Sequence, residues 1–321
     1  MSKTLIKNGF GVESILFNGC ACLYVLISYS LGLYGLFHES IGLNIFFTIV
    51  LAHGMIIAAY LVHECGHNLV FKKMRYNTYL GKCLTWICGA SYGTYEDIRY
   101  KHFRHHIDND DVVWFDYEEF FRKYPIVLKI TQFLEWLYIP AHELIMHFIM
   151  AFTSFIIPER RNQRVRNIAV LILRGSLFIF LLSFMDSIQH DYSYNLTLFS
   201  KEKSLRKGDF DWEQEHTFSN PISTKIPALN WITLNFGFHN AHHADMTIPW
   251  YKLPQKHSQL FGDNSINYVP FFAQLKIFHK QRVNRIIDNH QEDSPMGYDY
   301  LIAARKANVS GGNAASFLTS F

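Results

Sequence analysis

Two long apolar runs near the amino terminus contain no Asp, Glu, Lys or Arg. They cover residues 15–37 and 41–62, and only His38, Glu39 and Ser40 separate them. At about 1.5 Å per residue, a helix over either run is roughly 33–35 Å long, enough to cross the apolar core of a bilayer. The pattern therefore predicts a hairpin of two membrane-spanning helices. The alternative, a buried hairpin in a soluble protein, is disfavoured because soluble helices rarely lack a polar stripe over such a length.

Apolar segments farther along the chain are shorter or carry charges. Residues 79–95 predict an interfacial or re-entrant helix, and residues 229–238 are too few to cross a membrane. Residues 126–157 predict an interfacial approach followed by a third span that begins near Trp136, and residues 168–185 predict a fourth span. Four spans bring the chain back to the side on which it starts. The arginine-rich residues 158–166 would then lie on the opposite side, against the positive-inside rule.

These segments predict an all-α integral membrane protein with about four transmembrane helices and a cytosolic helical cap. Residues 1–292 are expected to form one membrane domain, and residues 293–321 a flexible polar tail. The charged residues 201–214 predict a solvated loop. No cleavable signal peptide is expected, because the first apolar run is too long for a signal core.

Composition narrows the class of protein. Apolar residues make up 49% of the chain and aromatic residues 16%, which suits contact with lipid tails and the headgroup interface. A net charge of +3 gives no support for nucleic-acid binding. The five cysteines are odd in number and form no zinc-like array, so reduced thiols are expected.

Histidines form three clusters that match helical spacing. Residues three and four apart share a face of a helix, so each cluster can act as a multidentate metal ligand set. Eight imidazoles are too many for one tetrahedral zinc and suit two metal ions. A ninth candidate, His190, follows the predicted fourth span. The clusters are His63 and His67; His102, His105 and His106; and His239, His242 and His243.

The other eight histidines are predicted to be ordinary hydrogen-bonded residues. A metal role stays open for His53 and His147, although His53 would lie about 15 Å along a helix from His63. The eight are His38, His53, His142, His147, His216, His257, His279 and His290.

In this order and around these spans, the patterns HxxxH, HxxHH and HxxHH resemble the membrane fatty acid desaturase and hydroxylase superfamily, over residues 51–254. The segment Asn-Ala-His-His-Ala-Asp, followed by Pro-Trp-Tyr at 249–251, resembles its bacterial-type branch. His190 resembles the extra histidine that the family often places between its second and third boxes. The resemblance implies two iron ions held by these nine histidines, dioxygen as co-substrate, and hydrogen abstraction from an unactivated carbon of a lipid. It also implies electrons from an external ferredoxin, rubredoxin or cytochrome-type donor.

Carboxylates beside the clusters could accept the second N–H of a metal-bound imidazole and so orient it. Each is alternatively a solvated surface acid. Asn235 lies four residues before His239 and could reach a metal-bound water, or it could be an ordinary polar residue at a helix end. The candidate acids are Glu64, Asp97, Asp108, Asp110, Asp186 and Asp245.

Desaturation of a long-chain fatty acyl group is the leading functional prediction. A hydroxylase, ketolase or monooxygenase of an alkane, sterol, sphingolipid or carotenoid is the alternative enzyme, because both reactions start with the same hydrogen abstraction. A membrane receptor that retains a metal site is the non-enzyme alternative. A transporter is disfavoured because the clusters lie at span ends. The expected location is a bacterial inner membrane or the endoplasmic reticulum, with the active site facing the cytosol.

Two further groups of residues carry expectations about substrate and partner. Trp86, Trp114 and Trp231 could wall a tunnel for the alkyl chain, or could belong to an interfacial aromatic belt. A set of basic residues could dock an acidic electron donor or a lipid headgroup, or could anchor the protein at the membrane surface. That set is Lys72, Lys73, Arg75, Lys101 and Arg104.

Overall fold

The two apolar runs form helices α1 (Val12–Gly35) and α2 (Ile41–Gly66). Both are long and apolar enough to cross a membrane, and no other helix among the described residues meets that test. The computed structural model describes residues 10–88, 94–156, 184–192, 195–198, 200, 204–262, 267–287 and 294–309.

Small side chains let α1 and α2 pack closely. A Cβ on Gly32 would lie 2.5 Å from Cβ of Leu51, and a Cβ on Gly54 would overlap the hydroxyl of Ser28. The buried face of α1 is made of small or polar residues, whereas large apolar side chains such as Leu26 point outward. This inside-out pattern is typical of membrane helices, which associate through small residues and meet lipid with large ones.

The carboxyl half of α2 is buried against the rest of the protein. From Met55 to Gly66 every residue of α2 is buried, whereas its first turns expose apolar side chains such as Ile45 and Ile49. Helix α2 therefore leads from a lipid-facing end into the packed interior. Its last turn carries the first histidine cluster.

The remaining described helices are shorter. They are α3 (Met74–Ile87), α4 (Tyr95–Asp108), α5 (Tyr117–Lys123), α6 (Pro125–Trp136), α7 (Ala141–Ile156), α8 (Phe210–Glu215), α9 (His239–Ala244), α10 (Leu253–Phe261), α11 (Phe271–Gln281) and α12 (Gly297–Arg305). The apolar residues 126–157 thus hold two helices, α6 and α7. The predicted fourth span lies outside the described residues except for its last two, and so does the arginine-rich segment 158–166.

A short parallel ladder adds strand structure that the all-α prediction lacked. Strand β1 (Asp111–Val113) pairs with β2 (Asn195–Thr197), and Val112 lies opposite Leu196. Helix α4 ends because Asn109 adopts a left-handed conformation with φ 55°. The buried valines that follow then extend as a strand, a conformation that β-branched side chains favour.

Two segments predicted to lack structure contain helices. Within residues 201–214, a solvated loop by prediction, α8 begins at Phe210 and buries Glu213. Within the predicted tail, α12 packs Tyr300, Leu301 and Ala304 against Ile188. The average polarity of the two segments did not predict α8 or α12, because one buried face of a short helix is enough to dock it.

Candidate metal centre

The first histidine cluster sits where α2 ends. His63 lies on the last turn of α2, and His67 caps the helix with its backbone N–H bonded to the carbonyl of His63. The carbonyl of Gly66 accepts a hydrogen bond of 2.8 Å from Nε of Arg99 on α4. This contact ties the first cluster to the helix that carries the second.

The second cluster lies on one buried face of α4. Thr94 and Asp97 form a capping box, in which each side chain accepts a hydrogen bond from the other's backbone N–H. The cap fixes where the helix starts, and therefore the direction in which its last turns point. His102, His105 and His106 are all buried on those turns.

The third cluster forms α9, a six-residue helix. It follows a 3₁₀ helix (Pro227–Thr233) and two residues with left-handed backbones, Leu234 and Asn235. The backbone N–H of Asn240 donates to Oγ of Ser219, which holds α9 on the segment after α8. His190 is placed by an antiparallel bridge to Thr217.

The nine candidate imidazoles converge in two adjacent groups. Within each group the potential ligand atoms all lie within 4.8 Å of one another. The five-histidine group is His63, His67, His102, His106 and His242; the four-histidine group is His105, His190, His239 and His243. His105 and His106 are consecutive in sequence, yet they belong to different groups. The rings of His106 and His243 join the groups with centroids 4.2 Å apart.

Within both groups it is the Nε2 atoms that face each other. In the five-histidine group Nε2 of His102 lies 2.7 Å from that of His67 and 3.0 Å from that of His106. In the four-histidine group Nε2 of His190 lies 3.2 Å from that of His105 and 2.9 Å from that of His239. Two nitrogens bound at about 2.1 Å and at right angles around one metal ion are about 3.0 Å apart. The spacing therefore fits imidazoles that share a metal.

Burial keeps these rings neutral, as metal ligands must be. Desolvation lowers the pKa of His67 to about 3 and the pKa of His105 to about 4. The pKa values of His106, His190 and His243 are also lowered, first by burial and then by neighbouring imidazoles. Neutral imidazoles with their lone pairs directed inward form a cation-binding donor set.

The Nδ1 atoms of three ligand candidates face outward onto acceptors. Nδ1 of His105 donates to the backbone carbonyl of Asp110 at 3.0 Å, and Nδ1 of His243 donates to Oε1 of Glu213 at 2.7 Å. Nδ1 of His190 lies 3.3 Å from Oγ1 of Thr217. A carbonyl can only accept, so His105 carries its proton on Nδ1 and presents a lone pair at Nε2.

Glu213 is the outer carboxylate that sequence reasoning missed. Its side chain is buried, it accepts from His243, and Oε1 lies 3.9 Å from Nδ1 of His106. Burial raises the pKa of Glu213 to about 8. Asp111, also missed, is fully buried with Oδ1 3.8 Å from Nδ1 of His105.

Among the predicted outer acids, Glu64 stands beside the groups. Its Oε1 lies 3.5 Å from Nδ1 of His63, and Oε2 accepts from the backbone N–H of Trp250. Asp110 reaches His105 through its carbonyl rather than its carboxylate. Asp186 is buried four residues before His190.

Three predicted outer acids act locally instead. Asp97 caps α4, Asp108 pairs with Arg104 at 2.7 Å, and Asp245 accepts from the backbone N–H of Thr247. A carboxylate close to a histidine in sequence can thus be engaged by a nearer backbone or side-chain donor instead.

The side chain of Asn235 is buried, and one of its two polar atoms is hydrogen-bonded. Its Nδ2 donates to the carbonyl of Trp250 at 3.1 Å, and its Oδ1 has no hydrogen-bond partner among the described residues. The residue therefore positions the turn before α9 and keeps one acceptor free.

The other histidines mostly have ordinary partners. His216 is buried, with Nδ1 2.7 Å from Oδ1 of Asp191, and that carboxylate also accepts from the backbone N–H of Gly297. His142 is buried against the ring of Tyr117. His290 lies outside the described residues.

The predicted basic docking surface is only partly exposed. Lys72, Lys73 and Arg75 are exposed at the start of α3. Lys101 is fully buried over the ring of Trp114, and Arg104 pairs with Asp108. The last two basic residues are structural, so they cannot dock a partner.

Two apolar cavities lie against α2, each with a volume of about 280 Å³. The inner cavity is lined by residues that include Ile56, Tyr60, Met185, Ile222, Thr233 and Phe271. The outer cleft is lined by residues that include Phe17, Ala21, Tyr24, Trp231, Leu234 and Trp250. His53 and Ile232 line both. Of the three tryptophans predicted to wall a tunnel, Trp231 thus faces a cavity, and Trp86 is half exposed on α3.

Comparison with known proteins gives one match. A family model described as fatty acid desaturase matches residues 42–274, which span both helices of the first two clusters, His190 and the third cluster. No curated protein and no solved structure matches the chain.

Proposed function

The chain belongs to the fatty acid desaturase family, and we propose that it oxidises an unactivated C–H bond of a lipid with dioxygen, introducing a double bond into a long-chain fatty acyl group. Membership of the family implies an oxidoreductase with a lipid substrate and a membrane setting. The observation that carries the finer proposal is the convergence of nine histidines into two groups, with an apolar cavity whose Tyr60 is linked to His63 through the ring of Phe236.

The proposed ligands are the nine histidines of the two groups. Bound there, two iron ions would supply the activation of dioxygen and the removal of hydrogen from carbon. The residues themselves contribute neutral nitrogen donors, which leave the bound ions a high positive charge. Glu213 and the carbonyl of Asp110 hold the outer edges of two rings, so that the inner nitrogens keep their direction. Oε1 of Glu64 lies 3.5 Å from Nδ1 of His63.

The apolar cavity supports an alkyl substrate. Tyr60 lines it and packs on Phe236 with ring centroids 4.7 Å apart. Phe236 in turn contacts the rings of His63 and His239, with centroids 4.8 Å and 5.3 Å away. A chain held in this cavity lies against apolar side chains that exclude water, a condition for selective oxidation.

The overall reaction requires an electron donor. Dioxygen accepts two hydrogens from the substrate, and two electrons and two protons from outside, to give two waters and one double bond. A ferredoxin, rubredoxin or cytochrome-type protein would supply the electrons. The exposed Lys72, Lys73 and Arg75 offer a place for an acidic partner of this kind.

Lipid analysis of a host that expresses the chain tests the proposal. The parent protein should add an unsaturated acyl species, detected by gas chromatography and mass spectrometry of methyl esters, and His105→Ala should not. Hydroxylated or ketonic lipids in place of the unsaturated species would assign the chain to the hydroxylase side of the family. A lipid profile identical to that of the His105→Ala host would contradict lipid oxidation.

A further inference from the structure

His53 separates the inner cavity from the outer cleft. Among the described residues, His53 and Ile232 are the two that line both cavities. His53 lies within α2, ten residues before His63, and is partly buried. Polar side chains inside a membrane helix are costly and therefore call for a function.

Both ring nitrogens of His53 are used. Nε2 lies 3.0 Å from the backbone carbonyl of Ile232, and Nδ1 lies 2.5 Å from the hydroxyl of Tyr24. Because a carbonyl only accepts, Nε2 carries the proton, and Nδ1 accepts from Tyr24. The neutral ring thus links α1, α2 and the 3₁₀ helix Pro227–Thr233. Its hydrogen bonds inside the protein offset part of the cost of placing this polar ring in apolar surroundings.

The inner cavity lies next to elements that carry the histidine groups. Three elements that line it run directly into them: Tyr60 precedes His63 on α2, Met185 precedes His190, and Thr233 precedes His239. The outer cleft instead lies along α1, which lines it with Phe17, Ala21 and Tyr24, and its Trp231 is half exposed.

Resting on the proposed acyl oxidation, we propose that His53 and Ile232 form a partition that ends the acyl-binding cavity and so sets the longest alkyl chain that fits. Its two hydrogen bonds hold the imidazole across the gap, and the side chain of Ile232 completes the wall. Removing either side chain joins the inner cavity to the outer cleft. The terminal methyl group of a longer chain could then pass beyond the partition.

The central experiment compares the parent with His53→Ala on saturated acyl substrates that differ stepwise in length. His53→Ala should shift the preferred chain to a longer one, with the ratio of turnover on the longer to the shorter substrate rising by at least about tenfold. His53→Phe refills the gap without the hydrogen bonds and should return the preference toward that of the parent. Ile232→Ala opens the wall from its other side and should act as His53→Ala does.

A matched control exists in the same chain. Nδ1 of His279 lies 2.6 Å from the hydroxyl of Tyr138, a pair of the same residue types, and His279 lines neither cavity. His279→Ala should keep the parental chain-length preference. Metal content and melting temperature in detergent, measured for every variant, show whether the protein is folded and loaded.

Two outcomes overturn the partition. One is an unchanged chain-length preference in folded His53→Ala and Ile232→Ala; the other is an equal rise in turnover on all lengths, which would make His53 an entry gate. A parent without oxidised product would instead refute the proposed function. In that case, stabilisation of the purified parent and variants against heat by saturated fatty acids of increasing length still tests the partition, because binding does not need turnover.

Discussion

Oε1 of Glu213 accepts a hydrogen bond of 2.7 Å from Nδ1 of His243, so a residue of α8 holds a ring of α9 from outside the histidine groups. The same carboxylate lies 3.9 Å from Nδ1 of His106 on α4. One side chain therefore touches a member of each group. The orientation of the two adjoining rings depends on it.

Replacing Glu213 should weaken metal binding without unfolding the protein. In Glu213→Ala the Nδ1 proton of His243 loses its acceptor, and outer partners of this kind typically contribute about 10- to 100-fold in metal affinity or activity. Metal content after dialysis against a chelator, with turnover on the acyl substrate, measures the effect. Glu215→Gln, an exposed change on the same helix, is the control. Equal retention of metal in both variants would contradict this role.

Replacing His105 and replacing His106 should cause different losses of metal, although the two residues are neighbours in the sequence. The parent is expected to hold about two metal ions per chain, one per group. His105→Ala leaves three histidines in its group and His106→Ala leaves four in the other, so the first variant should lose more metal. Both should lose turnover, because the proposed reaction needs both ions.

Elemental analysis of purified protein checks the two variants, with His279→Ala as the control that should keep the parental metal content. A parent that holds one ion or none while active would contradict the two-metal proposal. So would equal metal loss in His279→Ala.

The contact between α1 and α2 should not tolerate a larger residue at Gly54. A side chain there meets the hydroxyl of Ser28 across the helix interface, and overpacking of this kind costs about 1–3 kcal/mol. Gly54→Leu should lower the melting temperature in detergent. Gly19→Leu is the matched control, because nothing lies within 4 Å of a Cβ at that position of α1. Equal melting temperatures for Gly54→Leu and Gly19→Leu would show that α1 and α2 separate easily.

His257 should make stability depend on pH. Burial lowers its pKa from 6.5 to about 4, so between these values the unfolded chain binds more protons than the folded chain. The contribution of His257 to the free energy of unfolding is complete above about pH 6.5. It is lost as the pH falls toward 4, and its upper limit is about 3 kcal/mol.

The variant His257→Gln does not titrate in this range. Its melting temperature in detergent should therefore fall less than that of the parent between about pH 7 and about pH 5. His279→Gln, an exchange of the same type on α11, should follow the parent. Parallel curves for the parent and His257→Gln would refute the assignment.

Helical spacing in the sequence was enough to place the members of each cluster on one face, because that relation is local. Helical spacing could not show that His105 and His106 belong to different groups, since the group that each ring joins depends on where α2 and α9 meet α4. The α1–α2 hairpin could be predicted as well, because it needs only length and the absence of charge, which are also local properties of the sequence.

The outer carboxylates show where local reasoning fails. Glu213 lies 30 residues before His243, in a segment whose average charge predicts a loop. Asp97 lies closer in sequence to a cluster, but the spacing Thr94-x-x-Asp97 is itself a capping signature and could have identified it as a cap. Carboxylates that contact a site from another element can be found only in three dimensions.

The parallel ladder has a consequence for how relatives of this protein can diverge. Strand β1 follows the second histidine cluster and β2 follows His190, so one ladder holds both the departure and the return of the chain between residues 113 and 195. Closing a longer loop costs little extra free energy, because the cost grows only with the logarithm of its length. Insertions or deletions between β1 and Asp186 should therefore leave His105 and His190 in place. Relatives can therefore differ in the length of this stretch while the chemistry is inherited unchanged.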